Sequence, residues 1–230
     1  MGELLGLLDK KPLTNREKEV FRTLRTNLEF TGIENRAIVV TSCLANDGKT
    51  TVSYYLAAAL AESGKKTLFV DADLRKSVFV YRMQIEGNPK GLSHYLSGKE
   101  NWQDVVYATS YENLYVMPTG VFPSNPTELL ANRRLKKGID EMKEAYDYVI
   151  IDAPPIGLVI DAAVIARAAD ASIMTLASDT SSRKDVKKSI DQLKTANPNF
   201  LGVVLNKVET KKHGYPGKYG KYGYYGKYGY

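Results

Sequence analysis

Cysteine occurs once in the chain, at Cys43, which rules out an internal disulfide framework and fits a reducing compartment. Histidine occurs twice, at His94 and His213; neither has a partner at metal-ligand spacing, and both are expected at the surface. No uncharged apolar run approaches the ~18 residues that a membrane helix needs. The opening stretch "MGELLGLLDKK" lacks a basic leader with a cleavage site, and Gly6 stands where a myristoylation signal wants Ser or Thr. A cytoplasmic setting without a lipid anchor is therefore the expectation. Charge is not extreme either. The net value is +6, part of it carried by Lys211, Lys212, Lys218, Lys221 and Lys227 near the C-terminus, and no nucleic-acid partner is expected.

What is present suits a globular domain. At 230 residues, 43% apolar and 25% charged, the chain is long enough for one sizeable core. The exception is the stretch "HGYPGKYGKYGYYGKYGY" over 213–230, with seven of the chain's 16 tyrosines spaced by glycine and lysine. Glycine disfavours helix and strand, and no apolar period runs through the segment, so it builds no core. Its tyrosines are either decoration or are offered to something else.

Between the ends, short apolar runs alternate with helical periods. "RAIVVTS" (36–42), "KTLFVDAD", "NLYVMPTG" (113–120), "YDYVIIDAPP" (146–155), "ASIMTLAS" and "FLGVVLNKV" read as strands. "TVSYYLAAALAESG" (51–64), the stretch "PTELLANRRLKKGIDEMKEA", "DAAVIARAA" and the span Arg183 to Ala196 read as helices. Residues 15–30 form a further helix ahead of the first strand, with Asn15 as its expected cap. Apolar strands joined by crossover helices predict a mostly parallel sheet covered on both faces, a three-layer α/β/α fold. Three regions are expected: an N-terminal helical segment (1–35), an α/β domain (36–210) and the tyrosine-rich tail (211–230). Ligands in such folds bind at the carboxyl ends of the strands.

The polar motifs fall there. "SCLANDGKTT" (42–51) carries Gly48-Lys49-Thr50 at a strand-to-helix junction, the core of a P-loop. Backbone N–H groups from Asn46 to Thr51, with Asp47 and Gly48 between them, would cradle phosphates; Lys49 would reach the β/γ oxygens and Thr50 would ligate Mg²⁺. The full pattern wants glycine where Cys43 stands, and Asn46 also occupies a position where glycine is common. "LFVDADLRK" (68–76) places Asp71 and Asp73 just past the second strand, and "VIIDAPP" (149–155) ends another strand in Asp152, the natural Walker B acid. Three acids beside a phosphate cradle would repel one another without a cation, so ATP with Mg²⁺ is the expected pair. Asp161 either organises this site or caps the helix that it precedes, and Asn206 is either a nucleotide contact or a turn residue.

A P-loop followed by "VDADLRKS" and then "IIDAPP…D" resembles the bacterial tyrosine kinases (BY-kinases) of capsule and exopolysaccharide synthesis. "FRTLRTNLEF", "PSNPTELL", "PPIGLVIDAAVIA" and "FLGVVLNKV" are also similar to that family, and the likeness spans about residues 15 to 210. Partition ATPases, the related switch class, usually carry a lysine where Leu44 stands, which favours the kinase branch. The resemblance implies transfer of the ATP γ-phosphoryl group to a tyrosine hydroxyl. It implies Asp71 as base, with Asp73 and Asp152 joining Thr50 toward Mg²⁺, although sequence does not separate the roles of the three acids.

It also implies that Tyr215, Tyr219, Tyr222, Tyr224, Tyr225, Tyr228 and Tyr230 are self-phosphorylation sites used in trans. "EVFRTLR" places Glu19, Arg22 and Arg25 on one helical face, which is a solvated face with its own ion pairs or, by the resemblance, a subunit contact in a ring. A membrane-anchored activating adaptor, which would recruit the kinase to the inner face of the membrane, and a cognate tyrosine phosphatase are the implied partners. A switch ATPase and a nucleotide-gated scaffold that does not turn over are the alternatives.

Overall fold

The computed structural model describes residues 13–208, except 84, 86 and 179. The predicted alternation is present. Among these residues seven strands, numbered β1 to β7 along the chain, form one sheet in the order β3-β4-β2-β5-β1-β6-β7, and every pairing is parallel except that of β3 with β4. The inner strands β1 (Ala37–Ser42), β2 (Thr67–Asp71) and β5 (Tyr148–Asp152) are buried almost throughout, as strands covered on both faces must be. β4 (Leu114–Met117) and the short β3 (Tyr107–Ala108) lie on one side of them; β6 (Ala171–Ala177) and β7 (Phe200–Asn206) lie on the other.

The pleat sends alternate residues of β1 and β2 to opposite faces, and two cores result. Ile38, Val40 and Phe69 point into one, beneath α2 (Lys49–Glu62), where Val52, Leu56 and Leu60 meet them. The N-terminal helix α1 (Asn15–Glu29) packs on α2 and adds Leu24 and Leu28 to this layer. Val39, Leu68 and Val70 point into the other core, under α6 (Arg133–Ala145), α7 (Asp161–Ala166) and α8 (Arg183–Ala196). Burying each large aliphatic side chain here stabilises the fold by about 1.5–3 kcal/mol.

Some expectations need correction. The cap of α1 is Thr14 rather than Asn15: Thr14 has extended backbone, its hydroxyl accepts from Glu17 N at 3.3 Å, and Glu17 Oε2 accepts from Thr14 N at 2.8 Å. This reciprocal pair satisfies two N-terminal donors together, which moves the boundary back one residue. The stretch 126–145 is two helices, α5 (Pro126–Leu130) and α6, because Asn132 leaves helical geometry and its side chain accepts from Arg134 N at 3.0 Å. His94 lies in α4 (Leu92–Leu96) and is partly buried rather than on the surface; its Nδ1 accepts from Gly91 N at 3.1 Å, and burial pulls its pKa down. The short α3 (Phe79–Arg82), α4, a 3₁₀ turn at Trp102–Val105 and β3 were not anticipated. His213 and the seven tail tyrosines lie outside the described residues.

Candidate active site

The strand order places the ends of β1, β5 and β2 side by side at the carboxyl edge, and each delivers one polar motif. Asp71 and Asp152 are register partners on adjacent parallel strands, so their carboxylates emerge next to each other on the same face. Position 152 also pairs with Val40 of β1, two residues before the end of the strand that leads into the loop and Lys49.

The loop at 43–48 is held from several directions. Asn46 (φ 67°) and Gly48 (φ 92°) adopt left-handed backbone, which explains a glycine at one position and, at the other, the residue that tolerates this region best after glycine. A Cβ at position 48 would collide with the Asn206 side chain. Cys43 is not among the left-handed residues, so glycine is not required there; its buried Sγ accepts from Ser189 Oγ at 3.4 Å. The buried Asp47 turns its carboxylate into the loop, accepting from Leu44 N at 2.9 Å and from Thr180 Oγ1 at 3.2 Å. From the end of β7, Asn206 Nδ2 donates to the Asp47 carbonyl at 3.0 Å and Lys207 Nζ to that of Asn46 at 2.7 Å. Asp47 and Asn206 therefore shape the cradle with their side chains. Thr51 Oγ1 accepts from Arg82 Nη2 at 2.9 Å.

Lys49 is the first residue of α2, and its ammonium lies among the acids: 3.2 Å from Asp73 Oδ2, 3.4 Å from Asp152 Oδ2 and 3.3 Å from Thr50 Oγ1. Thr50 donates to Asp152 Oδ2 at 2.6 Å. The remaining oxygen of Asp152, Oδ1, is buried and meets no hydrogen-bond donor among the described residues. Asp71 is fully buried; its Oδ2 accepts from Ser77, and its Oδ1 from Asp73 N at 3.3 Å.

The electrostatics follow from burial and crowding. Burial, and then the neighbouring Asp152 charge, push Asp71 up to about 7, far above an ordinary carboxyl. Burial also raises Asp152. For Lys49, burial pulls down, but Asp152, Asp73 and Asp71 outweigh it and the pKa rises, so the ammonium stays charged. Beside these groups is a cleft of about 320 Å³ whose lining includes Asn46, Gly48, Lys49, Thr50, Asp73 and Pro155. Arg75, Lys76 and Arg82 add cations to its wall, and Leu158 and Val78 add exposed apolar surface. A polyanion beside an apolar group suits such a lining.

The fold thus brings Lys49, Thr50, Asp71, Asp73 and Asp152 together. Asp161 does not cap α7: Ile160 holds the cap position, and Asp161 is the first residue of the helix, its side chain ion-paired with Arg75 at 2.6 Å. Ser77 and Gly157 were missed by sequence reasoning. A Cβ on Gly157 would run into the Cys43 carbonyl, so the glycine in "PPIG" lets the segment after β5 lie against the loop; the motif alone held that signal. Glu19, Arg22 and Arg25 are far from this constellation in sequence and pair within the chain. Arg22 lies 3.7 Å from Glu19 and 3.9 Å from Glu62, and Arg25 lies 3.8 Å from Glu29 and donates to the Ala59 carbonyl at 3.4 Å.

The sequence model of the AAA domain matches residues 36–201. "Tyrosine-protein kinase CpsD" of Streptococcus agalactiae is 42% identical over 205 residues, which cover 89% of this chain and 90% of that protein. Among solved structures, the chimerical protein CapA2B2 superposes with a TM-score of 0.80 at 31% identity, covering 91% of this chain and 95% of the other. The kinase domain of the Escherichia coli tyrosine kinase ETK gives 0.78 at 34% identity, covering 86% and 80%.

Proposed function

The chain belongs to the family of bacterial tyrosine-protein kinases and uses a nucleotide; from that premise we propose how its residues divide the work. Lys49 and the amides of the loop hold the nucleotide's terminal phosphates. The acceptor tyrosine enters beside Asp71, and the bond between its oxygen and the γ-phosphorus forms as the bond from that phosphorus to the ADP oxygen breaks. The phenolic proton passes to the Asp71 carboxylate.

The observation that carries this reading is the environment of Asp71. An ordinary carboxylate is a poor base toward a phenol of pKa about 10, whereas one raised to about 7 narrows the gap. Asp71 is also fixed by Ser77 and the Asp73 amide, so it does not need to be oriented during the reaction. Lys49 retains its charge and faces the same spot, neutralising charge on the phosphoryl oxygens.

The residues fit Mg²⁺. A buried carboxylate oxygen with no donor among the described residues, Asp152 Oδ1, is what a cation or its water would meet, and Thr50 and Asp73 stand beside that carboxylate's other oxygen and its ammonium partner. Among the described residues no three His, Cys, Asp or Glu side chains are arranged to hold an ion alone, so nucleotide oxygens and water would complete the shell. The ion would spread the charge of the β- and γ-phosphates.

The acceptors are the tyrosines of the glycine-spaced tail, Tyr215 to Tyr230, taken from a second copy of the chain. Glycine lets each tyrosine become extended, and several registers are productive. Each phosphate brings about −1.5 to −2 charge, which reverses the tail's positive balance and favours its release from an acidic site. The surface of Glu19, Arg22 and Arg25 is the subunit contact of a ring. The system served is capsular or extracellular polysaccharide synthesis, with recruitment to the membrane by an adaptor and reversal by a tyrosine phosphatase. No helix of the described residues is long and apolar enough to cross a membrane.

The test is Lys49→Met in labelled ATP. Phosphotyrosine should disappear while the circular dichroism of the variant stays that of the wild type; undiminished label would refute the assignment of the loop.

A further inference from the structure

Three connections that leave the carboxyl edge of the sheet meet at one guanidinium. Arg75 follows β2, Thr127 lies in α5 beyond β4, and Asp161 opens α7 beyond β5. Arg75 Nε donates to Asp161 Oδ2 at 2.6 Å, and its Nη2 donates to Asp161 Oδ1 at 3.1 Å. Thr127 closes the ring: its hydroxyl accepts from Arg75 Nη2 at 2.8 Å and donates to Asp161 Oδ1 at 2.6 Å. Asp161 is fully buried, and Arg75 is its ion-pair partner among the described residues. A buried carboxylate requires such pairing, and the planar fork of arginine meets both of its oxygens at once, as a lysine does not.

The pairing fixes the turn after β2. Arg75 N donates to Asp73 Oδ1 at 3.3 Å, and Lys76 N donates to the same oxygen at 3.0 Å. The other oxygen of Asp73 faces Lys49 at 3.2 Å. A side chain pinned at position 75 therefore holds the two amides that aim Asp73 at the lysine of the loop.

We propose that Arg75, Thr127 and Asp161 form a latch of positioning residues, joining three loops of the fold, which sets the aim of Asp73 for phosphoryl transfer. This rests on the assignment of Asp73 to the transfer site made above. None of the three residues needs to touch the reacting atoms. The latch acts by denying Asp73 other rotamers and by keeping the three loops in one register around the cleft.

Thr127→Val keeps the volume and removes the hydroxyl; Arg75→Lys keeps the charge and removes the fork. With the full chain, ATP and Mg²⁺, kcat for tyrosine phosphorylation should fall about tenfold in Thr127→Val, with KM for ATP within about twofold of wild type, and kcat should fall further in Arg75→Lys. Thr127→Ser, which restores the hydroxyl, should recover the rate. A cycle with Asp73→Asn, read on residual rates over long incubations, separates positioning from bulk stability. If the latch acts through Asp73, the effects of Thr127→Val and Asp73→Asn are not additive.

Additive effects, an unchanged kcat in Thr127→Val, or no recovery in Thr127→Ser would overturn the latch while leaving Asp73 in place. Should Asp73→Asn itself keep the full rate, the assignment beneath the latch falls as well. If Thr127→Val fails to fold, Arg75→Lys carries the same cycle.

Discussion

Replacing Asp71 by asparagine removes a charge that the fold holds at a cost. In the native chain this carboxyl is buried against Asp152 and titrates at about 7, whereas in the unfolded chain it titrates near 3.8. A group whose native pKa is raised binds protons more readily when folded. Its ionisation therefore weakens the fold as pH climbs from about 4 through about 7, and the loss is complete above that. At about 1.36 kcal/mol per pKa unit the shift of roughly three units caps the effect near 4 kcal/mol, with Asp152 sharing it through the mutual repulsion. The amide of the Asp71→Asn variant keeps the shape of the carboxylate and can still accept from Ser77. The variant should thus equal wild type in denaturant midpoint at pH 4 and exceed it increasingly toward pH 8. Its phosphotransfer rate should fall by about 10²–10⁴, the usual contribution of a general base, while nucleotide affinity changes little. Urea titrations at both pH values and initial rates with labelled ATP provide the assay. A stability difference independent of pH would refute the burial argument, and a rate near wild type would refute the base.

In the wild-type enzyme kcat should rise with pH through about 7, because a protonated Asp71 cannot accept the phenolic proton; a rate flat from pH 5.5 to 8.5 would contradict this. Gly157→Ala should drive a methyl group into the Cys43 carbonyl and weaken nucleotide binding through the displaced loop, measured as a higher ATP dissociation constant with the fold kept; unchanged affinity would show that the loop yields without consequence.

Much of the fold was legible because its strands are buried on both faces. Such strands read as short runs of Val, Ile and Phe, and the acids that end them, Asp71 and Asp152, mark the carboxyl edge. Helix α8 matches its sequence reading from Arg183 to Ala196, where a regular apolar period announces it; the structure adds Ser182 as its cap, accepting from Asp185 N at 3.1 Å. The region 79–108 was not legible: α3, α4 and the 3₁₀ turn are each one turn or little more, too short for a period to appear. At the site, the residue types were readable but their partners were not. Nothing in the order of the chain says that Asp161 meets Arg75, 86 positions away, or that Asn206 reaches across 159 positions to the carbonyl of Asp47. Asp47 reads as a phosphate contact through its backbone N–H because it sits inside the loop motif; that its side chain folds the loop is visible only in the structure.

The proposed mechanism requires the Lys49 site of one copy to phosphorylate the tail tyrosines of another. Mixing the Lys49→Met chain, which keeps its tail, with a chain lacking residues 213–230, which keeps its site, isolates that step. Neither chain alone should yield phosphotyrosine; in the mixture, tandem mass spectrometry should locate phosphate on the tail of the Lys49→Met chain. A mixture as silent as its components, with wild-type chains labelled in parallel, would contradict transfer between copies.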